Sequence, residues 1–231
     1  MVCDVAVAAV QRAESSASGE DAPLPPAPPG WELPQRDDRP RLTAAHRLAS
    51  LPNAVWHVPD FVSGKEHNMI LRCCAQCSNV DPDLTGRVLR LQNLGGYASQ
   101  ERRPGALLPD PGGMVPEPLP RWCASLCREV DRALGADGSA VDHLPINHVL
   151  INEYPPGTGF GMHNDGRSFA PHTATLSLGS RAAFEIFSEA GGERLATLVL
   201  PPRGLLVFSG AAYEACLHRV PATLCDVEPE E

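Results

Sequence analysis

The feature that most constrains this chain lies in its second half. From residue 146 onward, short β-prone runs follow one another: HVLINEY (148–154), TATLSLG (173–179), AAFEIF (182–187), LATLVL (195–200) and GLLVFSG (204–210). Turn formers such as Pro155-Pro156-Gly157 and Gly191-Gly192 divide them, so no run is long enough for an ordinary helix. Ala183/Glu185 and Phe184/Ile186 alternate with the period of two that a half-buried strand requires. Short strands at this spacing predict a sandwich or jelly-roll barrel. Upstream, Ser63-Gly-Lys-Glu66 fits a capping box that opens a helix running to about Ser78. A second helix is predicted from about Pro118 to Leu134, stopped by Gly135. Helices first and strands second make an α+β arrangement, with N-terminal helices ahead of a jelly-roll core that begins near residue 146.

The N-terminus reads differently. Residues 1–12 (MVCDVAVAAVQR) suggest a short helix without a partner, and the segment that follows is dense in proline, serine and acid. Such composition buries too little apolar area to offset the entropy of ordering. Residues 1–42 are therefore expected to be a disordered acidic, proline-rich tail, and residues 43–231 the folded domain. Residues 87–115 read as an irregular stretch. The formal charge of −9 argues against a general nucleic-acid coat or an anionic-membrane binder, though not against one local basic patch. No apolar run is long enough to span a membrane. Of the eight cysteines, Cys73, Cys74 and Cys77 crowd one predicted helix and Cys123 and Cys127 another, with no signal peptide ahead of them, which predicts reduced thiols in the cytoplasm or nucleus. Cys74-Ala-Gln-Cys77 matches C-x-x-C but has no second ligand pair in register, so core thiols are the reading.

His163-Asn164-Asp165 carries chemistry. In extended backbone, residues i and i+2 point the same way, so one ion can take both side chains while Asn164 faces elsewhere. Two imidazoles and one carboxylate form the facial set of a non-haem iron site, with three positions left open. His218 follows the last predicted strand, where a barrel would bring it opposite the pair. By chance alone, a chain of this composition holds roughly half a His-x-Asp pair, and a polar residue at a strand end explains His218 equally well.

INHVLINEYPPGTGFGMHNDG (146–166), followed by HTATLSLGS (172–180), resembles the AlkB-type Fe(II)/2-oxoglutarate dioxygenases. The similarity extends through RLQNLGG (90–96), MVPEPLPRW (114–122) and RGLLVFSGAAYEACLH (203–218), and is closest to the AlkB homologue six branch. The resemblance implies a double-stranded β-helix, with His163, Asp165 and His218 as Fe(II) ligands. It also implies that Asn152 and Tyr154 contact the 2-oxoglutarate carboxylates. Read without it, Tyr154 could be a core aromatic and Asn152 a turn-closing residue. The implied reaction consumes 2-oxoglutarate and O2 and hydroxylates a C–H bond, often in an N-methyl group of a modified nucleic acid, which then loses formaldehyde. Arg87, Arg90, Arg102 and Arg103 give the irregular stretch a positive bias, either as part of a solvated loop or as phosphate contacts to methylated nucleic acid.

Two departures from the family stand out. Thirteen residues follow His218 without the arginine-bearing last strand that pairs with the distal carboxylate of 2-oxoglutarate, so the core is expected to lack that strand. Arg219 adjoins His218 and is in the wrong place for that role, which another cation such as Arg203 could take over. The second departure is residues 97–113, which look longer than the corresponding family segment. These departures keep two alternatives open: a catalytically impaired or truncated member acting as a binding protein, and a dioxygenase acting on protein or a small molecule.

Overall fold

The computed structural model describes residues 2–11, 25–51, 54–77, 90–98, 114–135, 145–165, 169–190 and 192–223. Twelve strands alternate with a few short helices among these residues. A six-stranded sheet combines β1 (Val2–Gln11), β2 (Val55–Val58), β3 (Arg90–Leu94), β6 (His148–Glu153), β8 (Phe169–Gly179) and β11 (Leu205–Ser209), in the order β2-β11-β8-β1-β6-β3. A four-stranded sheet combines β7 (Phe160–His163), β9 (Ala182–Ser188), β10 (Arg194–Leu200) and β12 (Cys216–Val220), in the order β10-β9-β12-β7. A small ribbon pairs β4 (Gly96–Ala98) with β5 (Met114–Pro116). All pairings are antiparallel except those of β1, which runs parallel to both β6 and β8. The irregular stretch expected over 87–115 thus contains three short strands.

The period of two sorts side chains between two cores. On β11, Leu205 and Val207 join the cluster under the helices, whereas Leu206 and Phe208 join a second cluster with residues of the four-stranded sheet. On β8, Ala174, Leu176 and Leu178 face the helical side, leaving Thr173, Thr175 and Ser177 buried on the opposite face. The helical layer consists of α1 (Gly64–Gln76) and α2 (Arg121–Leu134). Ser63 and Glu66 do form the capping box at the start of α1. The helices bury Ile70, Cys73 and Cys74 from α1 and Cys123, Leu126 and Val130 from α2. Cys73, Cys74, Cys77, Cys123, Cys127 and Cys216 are free thiols, and no helix among the described residues is long and apolar enough to cross a membrane.

The N-terminal region corrects the expectation of a disordered tail. Val2–Gln11 is a strand, neither helix nor coil, and lies between β6 and β8, with Ala8 in register with Asn152 and Ser177. Residues 25–42 lie across both helices. The Leu33 N–H donates to Ser125 Oγ at 2.7 Å, the Leu42 N–H to the Ala133 carbonyl at 3.1 Å, and both leucines are buried. Arg39, 5% exposed, bonds to Glu66 and Glu129 at 2.8 Å each and to the Phe61 and Pro34 carbonyls at 2.9 Å. Composition misleads here because an extended segment needs few apolar anchors when neighbouring helices satisfy its polar groups. Residues 12–24 lie outside the described residues.

Candidate metal centre

The site is built where β7 and β12 pair. His218 stands opposite His163 in the antiparallel register, which places two imidazoles side by side, their ring centroids 4.4 Å apart. Asp165 lies two residues past the end of β7 and turns back toward both. Its Oδ1 is 3.7 Å from His163 Nε2 and 3.5 Å from His218 Nε2. The three ligand atoms fall within 4.8 Å of one another, and no other His, Cys, Asp or Glu group among the described residues converges in this way. The turn before β7 fits tightly against the chain leaving β12: a Cβ on Gly159 would meet the Val220 carbonyl oxygen at 2.4 Å. That contact helps hold the two ligand-bearing strands in register.

Electrostatics suit a cation. His163 Nδ1 lies 2.8 Å from the Gly161 carbonyl, so Nδ1 carries the proton and donates it, leaving the Nε2 lone pair for a metal. Burial, reinforced by the neighbouring His218, lowers the pKa of His163 despite the opposing pull of Asp165 and favours the neutral ligand form. An octahedral ion with open positions fits a His-Asp-His set better than a closed tetrahedral zinc site does.

Asn152 and Tyr154 follow one another at i and i+2 on and just beyond β6. Tyr154 is 3% exposed, and burial together with the Asp165 charge raises its phenol pKa, so the hydroxyl remains a donor at neutral pH. Asn152 Oδ1 is buried without a hydrogen-bond partner. An orphaned amide oxygen calls for a donor, so a carboxylate would be met by the Nδ2–H groups of this amide and by the Tyr154 hydroxyl, not by Oδ1. The donors on these two side chains are compatible with a carboxylate ligand.

Other site expectations fare differently. Arg219 hydrogen bonds to Glu185 and stacks over Phe187 with its guanidinium carbon 5.2 Å from the ring centroid. Arg203 pairs with Asp60 at 2.7 Å. Both arginines are thus already engaged by carboxylates. Arg90 opens β3, paired with Glu153, while Arg87, Arg102 and Arg103 lie outside the described residues. Sequence reasoning missed the aromatic rings that enclose His218: Phe184 stacks on it at 5.2 Å and Phe208 lies tilted at 5.4 Å. The phenylalanines in the strands at 182–187 and 204–210 were the available signal.

Comparison with known proteins yields three findings. A model of the 2OG-Fe(II) oxygenase superfamily matches residues 54–231. The Danio rerio protein described as "Probable RNA/DNA demethylase ALKBH6" is 29% identical over 191 residues, covering 78% of this chain and 74% of that one. The solved structure of OsALKBH1 superposes with a TM-score of 0.53 at 18% identity, covering 74% of this chain and 87% of that one. At that identity the likeness shows the fold alone.

Proposed function

Because this chain belongs to the 2OG-Fe(II) oxygenase superfamily as an AlkB-like member, we propose that it removes methyl groups oxidatively from a modified nucleic acid. The observation that carries this reading is the convergence of His163, Asp165 and His218 within 4.8 Å. Fe(II) held there would supply the redox chemistry that couples O2 to decarboxylation of 2-oxoglutarate and to hydroxylation of a C–H bond.

The chain's own residues bind, orient and exclude water. The Gly161 carbonyl fixes the tautomer of His163, and Asp165 sets its carboxylate between the two imidazoles. Asn152 and Tyr154 donate to the carboxylates of 2-oxoglutarate, which rests on these neutral groups because Arg203 and Arg219 are paired elsewhere. Phe184 and Phe208 keep the protein side of the centre dry. Arg87, Arg90, Arg102 and Arg103 supply phosphate contacts. The zebrafish relative's description as an RNA/DNA demethylase supports the choice of substrate class.

The test is incubation with Fe(II), 2-oxoglutarate and a panel of methylated RNA and DNA oligonucleotides, read by mass spectrometry and formaldehyde release. The expected result is methyl loss from at least one oligonucleotide class, absent in His163→Ala. Steady succinate formation with hydroxylation of added protein, and no methyl loss from any oligonucleotide, would assign the site to a different substrate.

A further inference from the structure

The two histidines of the centre are held in different ways. His163 has the Gly161 carbonyl at 2.8 Å on its Nδ1. Among the described residues, no comparable hydrogen bond fixes the Nδ1 of His218, and an imidazole torsion left to itself is broad. What surrounds His218 is aromatic. β9 runs beside β12 with Ile186 opposite His218, so Phe184 is its diagonal neighbour, within reach of a large side chain. The Phe184 ring lies 5.2 Å from the imidazole centroid at an interplanar angle of 17°. Phe208 from the other sheet closes the far side at 5.4 Å and 60°. Both phenylalanines are buried, at 5% and 6% exposure, and belong to the core between the sheets.

We propose that Phe184 is a positioning residue for the metal centre, doing for His218 by ring stacking what the Gly161 carbonyl does for His163 by hydrogen bonding. With Phe184 in place the imidazole can neither swing away from Asp165 nor flip its Nε2 out of the ligand plane, so the three ligands are assembled before the metal arrives. Groups that orient a metal-bound histidine typically change affinity about 10–100-fold when removed. The inference rests on the assignment of the triad as the metal site.

The experiment titrates Co(II), a redox-stable probe with a visible spectrum, into the full metal-free chain. The variants are Phe184→Leu, Phe184→Tyr and, as a packing control from the same core, Leu200→Ala. Phe184→Leu should weaken Co(II) binding about 10–100-fold and shift the visible bands of the bound ion. Phe184→Tyr, which keeps the ring, should restore affinity to within about threefold of the wild type. Leu200→Ala should lower the melting temperature without changing affinity or spectrum. Should the leucine variant not fold, Phe184→Met makes the same comparison with more of the volume retained. Unchanged affinity and bands in Phe184→Leu would overturn the proposal, as would an equal loss in Leu200→Ala. A wild-type chain that binds no Co(II) would overturn the triad assignment itself, and the proposal with it.

Discussion

Arg39 shows how much one side chain decides in this molecule. Its guanidinium sits between the carboxylates of Glu66 and Glu129, all three nearly buried. Burial alone would raise the pKa of Glu66, but the hydrogen bond and charge of Arg39, with the Ser63 N–H, pull it below the usual carboxylate value. Arg39→Leu would leave Glu66 with Arg36 and Glu129 with Arg132, both more exposed partners, at a cost of up to about 3 kcal/mol, measurable by urea denaturation of the metal-free chain. A loss below about 1 kcal/mol would mean that water reaches the carboxylates. At the metal centre, Asn152→Leu should weaken 2-oxoglutarate binding while leaving Fe(II) affinity intact. Anaerobic calorimetry checks this, and equal 2-oxoglutarate affinity in the variant and the wild type would show that Asn152 does not touch the cosubstrate.

At the scale of elements, some of the structure was legible and some was not. The capping box at Ser63 and Glu66 announced α1, and β9 was expected as a strand, although it is buried on both faces and not half-buried as its alternation suggested. Such signals are local, and local patterns survive whatever the rest of the chain does. His163 and Asp165 could be picked out by spacing, but that His218 stands opposite His163 depends on the pairing of β7 with β12, which is set by closure of the whole sheet. The N-terminal residues were misread for the same reason. The partners of β1 are more than 130 positions away in sequence, and Arg39 finds Glu129 only once α2 is docked. Deleting residues 1–12 should therefore open the six-stranded sheet between β6 and β8 and lower the melting temperature by several degrees. Deletion through residue 42 should be worse, since it also removes Leu33, Arg39 and Leu42. Melting of the two truncated chains within about a degree of the full chain would show that these segments contribute nothing to stability.

For the whole molecule, pH tests how the two layers are joined. His67 on α1 accepts the Gly179 N–H at the end of β8, at 3.0 Å, and so must remain neutral at Nε2. Burial is the main cause that lowers its pKa below the ordinary 6.5, with the Arg203 charge acting in the same direction. His57, pressed against Gly204, is lowered by burial and then by His46. As pH falls, the unfolded chain therefore takes up protons first. The stability from these two histidines is full above about 6.5 and declines below it, so the melting temperature of the metal-free chain should fall between about pH 7 and pH 5.5, less steeply in His67→Gln. A flat profile would mean that neither ring is held neutral by the fold. The central claim, that the pairing of β7 with β12 brings His163, Asp165 and His218 onto one iron, is tested most directly by anaerobic Fe(II) titration of the wild type beside His163→Ala and Asp165→Ala. The account predicts a single site in the wild type and at least about a hundredfold weaker binding in each variant; equal iron affinity in all three chains would contradict it.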